Sequence, residues 1–250
     1  MQNAQAARGG LLAAQLAARN VTGASTAREG TKGFLRSYAG IAELPESWTQ
    51  PLKPEAILAI YAKPWATSGD NMAAVRAAKL IRDDGIDTSK IVSLQIKILR
   101  AFAKYPGTSF KGPFILPVHA LASTGFATAA MLLFGDLEYE VSLEQSENPT
   151  LLALVQKSTV VPNDSGTKLD AQLTAVMSDQ SVRVRQAADA PRTWLYHDPD
   201  TSITIFEKRM SASGFDANAS RDFATGLFEV HARIQSIKHL LDRCTARTVF

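Results

Sequence analysis

The sequence has a single cysteine, Cys244, among 250 residues. An internal disulfide framework and a cysteine-built zinc site are both excluded, which fits a reducing compartment. Its apolar stretches are short, the longest lying near Ala127–Phe134, well under the roughly 20 residues that a membrane helix needs. No membrane association is expected. Lysines and arginines never run beyond two in succession, and 27 of them against 24 Asp and Glu leave a net charge of +3, so the basic excess is scattered and no nucleic-acid interface is expected. Gly-x-Ser-x-Gly, His-x-x-x-His and Walker patterns are absent. His119, His197, His231 and His239 do not pair with a carboxylate or cysteine at ligand spacing. No metal and no cofactor are called for. His231 and His239 are expected on a solvated helix face.

What is present belongs to a globular chain. Hydrophobic residues make up 46% and charged residues 20%, with 15 Gly and 11 Pro, which excludes disordered and fibrous classes and allows one large domain or two small ones. Residues 4–18 are rich in Ala and Leu on almost every face, with Gly9-Gly10 inside. They read as a core helix meant to be packed between others, rather than as the transit peptide that Arg8 and Arg19 would suggest. A turn-rich connection follows, with Ser25 or Thr26 as a possible cap, before Gly33–Tyr38.

Pro51, Pro54 and Pro64 mark a change of composition, and a new unit is expected to begin near residue 51. Ala56–Lys63 is expected to be a short buried strand bounded by breakers. Asn71–Asp84 reads as an amphipathic helix with Asp70 as N-cap and Gly85 as its stop. Lys90–Leu99 has the period-two pattern of a half-buried strand, setting Ile91, Ser93, Gln95 and Lys97 against Val92, Leu94, Ile96 and Ile98. Pro106-Gly107 and Gly112-Pro113 bracket a loop in which Phe110-Lys111 either cradles a phosphate or simply turns the chain. His119–Phe134 reads as one apolar helix ending at Gly135. Leu173–Ala188 reads as a hairpin turning at Ser178–Ser181. Helical spacing returns over Ile203–Ser211 and Ser220–Arg243, the latter through Leu227, Val230, Ile234, Ile237 and Leu241. The fold class expected from this rhythm is α+β: helix, an α+β insert, then helix again.

Lys63-Pro64-Trp65 places a cation at the end of the expected strand, where a strand opens onto a cleft. A lysine there either holds a carboxylate or snorkels to the edge of the unit.

Several segments in order resemble the MmgE/PrpD family, which contains 2-methylcitrate dehydratases and cis-aconitate decarboxylases. They are residues 1–17 with Val21-Thr22-Gly23 and Glu29-Gly30-x-x-Gly33-Phe34, then Lys63-Pro64-Trp65 with the helix from Met72. Ala127–Leu137, Asp189–Arg192 and Ile205–Arg209 complete the series. The resemblance implies a remnant of an all-helical domain carrying an inserted α+β lid domain, with boundaries at 1–50, 51–190 and 191–250. It also implies that about half of a family member, including most of the helical domain, precedes the point matching Met1.

By resemblance the chain is a cofactor-independent lyase acting on a citrate-like tricarboxylate, by dehydration or decarboxylation. Lys63 is implied as the catalytic and substrate-binding cation, with Ser68 and Gln2 as further substrate-binding positions. Gln2 stands where many members have a histidine, and Ser68 where a cysteine or histidine is common. Met72 and Phe126 replace a histidine and a tyrosine, and a dehydratase needs one group to remove a proton and another to protonate the departing hydroxyl. The alternative is therefore a catalytically incomplete relative that serves in binding or association. The expected partners are a small polycarboxylate and a second copy, or another protein covering the helix at residues 4–18. A cytoplasmic location is expected, or a mitochondrial one if a segment precedes Met1.

Overall fold

A computed structural model describes residues 2–43, 45–46, 50–51 and 60–231. The chain divides into two units, residues 1–60 and residues 61–250.

The first unit contains α1 (Gln2–Ala17) and α2 (Phe34–Ala39). Ala, Leu and Gln favour a helix at α1 because they lose little side-chain freedom there. Every residue from 4 to 29 is exposed. The following turn is closed by the main chain, with Gly30 N donating to Thr26 O at 2.8 Å and Phe34 N to Ala27 O at 2.9 Å. Glycine is required at position 30, since a Cβ there would stand 2.6 Å from Thr26 O. Among the described residues of this unit, Leu35, at the start of α2, is the buried hydrophobic one, and Phe34 stacks on Tyr38 across one helical turn.

The second unit is α+β, with a four-stranded mixed sheet packed against helices. The strands are β1 (Ile91–Leu99), β2 (Ser158–Asn163), β3 (Ala171–Met177) and β4 (Val182–Gln186), in spatial order β2-β1-β3-β4. β1 and β2 are parallel, and the other two pairings are antiparallel. One face of the sheet presents Leu94, Ile96, Ile98, Leu173 and Ala175, all fully buried or within 1% of it. Burying each of the larger ones stabilises the fold by about 1.5–3 kcal/mol.

Against this unit's sheet lies α3 (Met72–Asp83), and α6 (Thr124–Phe134) packs on α3. The row of alanines at 73, 74, 77 and 78 is buried, because a helix between two neighbours needs small side chains on both sides. The expected cap is corrected. Asp70 lies inside a short 3-10 turn, Gly69–Asn71, and it is the Ser68 hydroxyl that accepts from Asp70 N at 3.5 Å. α3 ends as expected, with Gly85 at φ +78° donating to Arg82 O at 2.8 Å.

Three further expectations are corrected. β1 is a strand, but the pairing with β3 shifts between Ile91 and Ser93. The extra residue inverts the alternation, so Ile91 is 1% exposed and Val92 is 55% exposed. The single helix expected over His119–Phe134 is two, α5 (Pro117–Ala122) and α6, separated from α4 (Arg100–Ala103) by a loop with a cis Gly112-Pro113 bond. Ser123 breaks it with ψ 117°, its hydroxyl accepting from Phe126 N at 3.1 Å and donating to Phe110 O at 2.6 Å. The strand expected over Ala56–Lys63 has no support at its described end, where Tyr61–Lys63 are irregular. Residues 56–59 lie outside the described residues.

The hairpin is β3 and β4, as its sequence indicates, tightened by Asp179 Oδ1 accepting from Ser181 N at 2.9 Å. Two short helices, α7 (Tyr139–Glu144) and α8 (Pro149–Gln156), precede β2. The later helices are α9 (Pro199–Ala212) and α10 (Ala217–His231). Asp198 caps α9 by accepting from Thr201 N at 2.7 Å. Ile234, Ile237, His239 and Leu241 lie outside the described residues.

Candidate functional site

Residues 61–71 form a non-repetitive segment whose backbone is held from several directions. Ala62 N donates to Leu195 O at 2.8 Å, Ala66 N to Leu137 O at 2.7 Å, and Ser68 N to Leu121 O at 2.9 Å. The Arg209 guanidinium donates to Pro64 O. Trp65 is 7% exposed and meets Trp194 edge-on at 6.0 Å, while Lys79 Nζ lies 5.1 Å from the Trp194 ring. Satisfied main-chain groups and a buried anchor make this segment rigid although it has no repeating structure.

Asn71 is the hub beneath it. Fully buried, it donates from Nδ2 to Thr67 Oγ1 at 2.9 Å and to Leu121 O at 3.2 Å, and its Oδ1 accepts from Thr124 Oγ1 at 2.6 Å. Thr67 Oγ1 in turn donates to Leu121 O at 2.9 Å. A satisfied buried network of this kind ties the segment to the start of α6 in one arrangement.

Lys63 rides on this frame. Its side chain is exposed, and Nζ makes one long bond, donating to Thr67 O at 3.4 Å. It does not end a strand, yet its ammonium has no carboxylate within ion-pair distance among the described residues. Ser68 is on the same segment, half-buried, with its hydroxyl engaged as the turn cap. Met72 and Phe126 are 0% and 1% exposed. Both belong to the hydrophobic core, where Phe126 packs on Phe114 at 4.8 Å between ring centroids. Gln2 opens α1 in the first unit. Of the five positions, Lys63 and Ser68 share one segment, and Met72 and Phe126 share one core.

The structure adds residues that motif reading missed. Tyr61 is half-buried, and burial, with Asp70 and Tyr196 nearby, raises its phenol above the ordinary value of 10.0. It therefore stays protonated near neutrality, as a hydrogen-bond donor. Lys168 Nζ lies 5.5 Å from its ring, and the Arg192 guanidinium lies 4.9 Å from that of Tyr196. Arg76, on α3, is 5% exposed, donates from Nη2 to Ala190 O at 3.2 Å and leaves Nε unpartnered. Burial lowers its pKa, against the pull of Tyr196 and Asp170. These residues are separated widely along the chain and share no spacing that sequence patterns would detect.

His119 and His197 make local hydrogen bonds to the main chain. His119 Nδ1 accepts from Leu116 N at 3.5 Å, and His197 Nε2 lies 3.1 Å from Trp194 O. Among the described residues no three His, Cys, Asp or Glu side chains gather as metal ligands would, and no helix is long and apolar enough to cross a membrane. Chemically, the arrangement offers an accessible cation at Lys63, the protonated phenol of Tyr61 and a backbone tied by hydrogen bonds. That set can bind an anion. Among the described residues no carboxylate lies within ion-pair distance of Lys63 to take up a proton there.

A scan against protein-family models and a search among curated proteins find no match for the chain.

Proposed function

We propose that this chain is an MmgE/PrpD-like protein whose α+β unit is the lid of a lyase for citrate-like tricarboxylates, with Lys63 holding a substrate carboxylate. The observation that carries this reading is the exposed, carboxylate-free ammonium of Lys63 on a backbone segment held from four other parts of the unit. A cation fixed in that way suits a polyanion whose charge grows as a proton leaves the carbon beside a carboxylate. Titration calorimetry of the 250-residue chain with citrate, 2-methylcitrate and cis-aconitate tests it. Binding that weakens at least tenfold in Lys63→Ala, and not in Lys90→Ala, is expected. Absence of binding to all three overturns it.

The burial of Met72 and Phe126 favours a second reading within the same family, a chain that binds the tricarboxylate without turning it over. A methionine and a phenylalanine inside a core neither donate nor accept the protons that dehydration requires. Measured turnover that is abolished by Lys63→Ala would remove this reading. In either case we propose that α1, with Leu11, Leu12 and Leu16 exposed by 63%, 53% and 40%, is covered by a second copy of the chain. Light scattering that finds only monomer at micromolar concentration would exclude that pairing.

A further inference from the structure

The strand order forces an arch at one end of the sheet. β2 runs parallel to β1 on one side, and β3 starts antiparallel to β1 on the other. The segment 164–170 that joins β2 to β3 must therefore pass over the C-terminal end of β1. Beneath it is a cavity of about 280 Å³. The ends of a parallel strand pair are where open sheets leave room for ligands.

The register determines what faces this space. Lys97 lies opposite Gln172, and Gln172 opposite Gln186, so the three form a row on the face turned away from the helices. Asn163 ends β2 and Asp170 begins the approach to β3, both against the cavity. Gly166 brings the arch down onto Asn163: a Cβ there would stand 2.5 Å from Asn163 Nδ2. The lining thus holds an ammonium, three amides and a carboxylate, with little to attract an apolar molecule.

Two of these groups are charged and stand outside close ion pairs, although Lys97 is near enough to Asp164, and Asp170 near enough to Arg76, to act on them electrostatically. Neither Lys97 nor Asp170 takes part in an ion pair among the described residues, whereas the neighbouring Arg100 is paired with Asp164. Asp170 is oriented by Thr167 N, which donates to its Oδ2 at 2.7 Å. Asp170 stands just before β3, two positions from Gln172, the partner of Lys97, so the two charged groups line the same cavity from neighbouring chain segments. A ligand bearing only carboxylates would meet Asp170 unfavourably, and a bare amine would meet Lys97 unfavourably. A zwitterion satisfies both, and the amides can both donate to and accept from a hydroxyl or amide on it.

We infer that this cavity is a binding site for a small polar α-amino acid, its carboxylate toward Lys97 and its ammonium toward Asp170. It shares no residue with the Lys63 segment, so the two readings stand or fall separately. The test is titration of the full chain with L-serine and L-glutamine, followed by amide chemical shifts of residues 163–172. 3-Hydroxypropionate and ethanolamine serve as the two halves of serine. Saturable shifts with the amino acids are expected, with each half binding at least tenfold more weakly. Lys97→Met and Asp170→Asn, both at solvent-accessible positions, should each weaken binding at least tenfold while leaving the far-ultraviolet circular dichroism unchanged. No shifts with either amino acid, equal binding by one half, or affinity unchanged in both variants would overturn the assignment.

Discussion

The two units use similar ingredients to opposite ends. In the first, α1 is built from Ala, Leu, Gln and Gly, and all of its residues from 4 onward are exposed. In the second, α3 is equally rich in alanine, yet Met72, Ala73, Ala74, Val75, Arg76, Ala77, Ala78 and Ile81 are all buried. Helix propensity is satisfied in both. What separates them is a sheet and a second helix for α3 to pack on, because in proteins tertiary burial supplies most of a helix's stability.

The sharpest way to break this contrast is a truncation in each unit. Ile96→Ala, at a site with 0% exposure, is expected to cost about 3 kcal/mol. Leu12→Ala, at 53% exposure, should fall within about 0.5 kcal/mol of the parent. Urea unfolding followed by circular dichroism measures both, and equal costs would show that α1 is packed in solution.

Asn71→Ala comes next, at about 2 kcal/mol, since it leaves the buried Thr124 hydroxyl without its acceptor and removes the donor to Thr67 Oγ1, which keeps its own bond to Leu121 O. Its effect should be accompanied by loss of rigidity in residues 61–71, read as faster amide exchange. Protection unchanged there would mean that the Asn71 network does not organise the segment.

Glycine-to-alanine substitutions should have opposite signs in the two units. Gly135 sits at φ +78°, where a Cβ would also press on the Arg82 guanidinium that donates to Leu132 O and Leu133 O. Gly135→Ala is expected to destabilise by about 1–2 kcal/mol. Gly9 has nothing within 4 Å of where its Cβ would be, and Gly9→Ala should favour the helix by up to about 1 kcal/mol. Thermal melts decide both signs.

The smallest effect is electrostatic. Hydrogen bonds from Lys208 to Asp136 and Glu138 hold its pKa above the ordinary lysine value of 10.5. Their stabilisation is therefore complete below that value and lost as pH rises through the higher folded one. The group is largely exposed, so screening keeps the contribution to about 0.5 kcal/mol or less. Stability of Lys208→Met relative to the parent should show a small deficit at pH 8 that closes at alkaline pH.

Much of the second unit was legible in the chain, and the places where reading failed have local causes. The hairpin at residues 171–186 and the stop at Gly85 depend on neighbours in sequence, and both were found. The phase of β1 was inverted at its first residues because a bulge depends on the partner strand β3. The break at Ser123 was hidden by continuous apolar spacing, and it depends on Phe110, thirteen residues earlier, accepting from the Ser123 hydroxyl. Of the candidate site, Lys63 was visible from its place beside Pro64-Trp65. Tyr61, Arg76 and Tyr196 were not, because only folding brings residues so far apart in the chain into one electrostatic neighbourhood.

By itself the sequence determined the α+β class, the helical and strand periods, the turns with left-handed glycines and the scattered charge. Each follows from residue chemistry acting over a few positions. Only the tertiary structure decided which alanine-rich helix is buried, that Met72 and Phe126 belong to a core, and that Lys97 and Asp170 line one cavity at the end of β1. Those outcomes depend on contacts between distant segments, and burial is a property of what lands on a side chain rather than of the side chain alone.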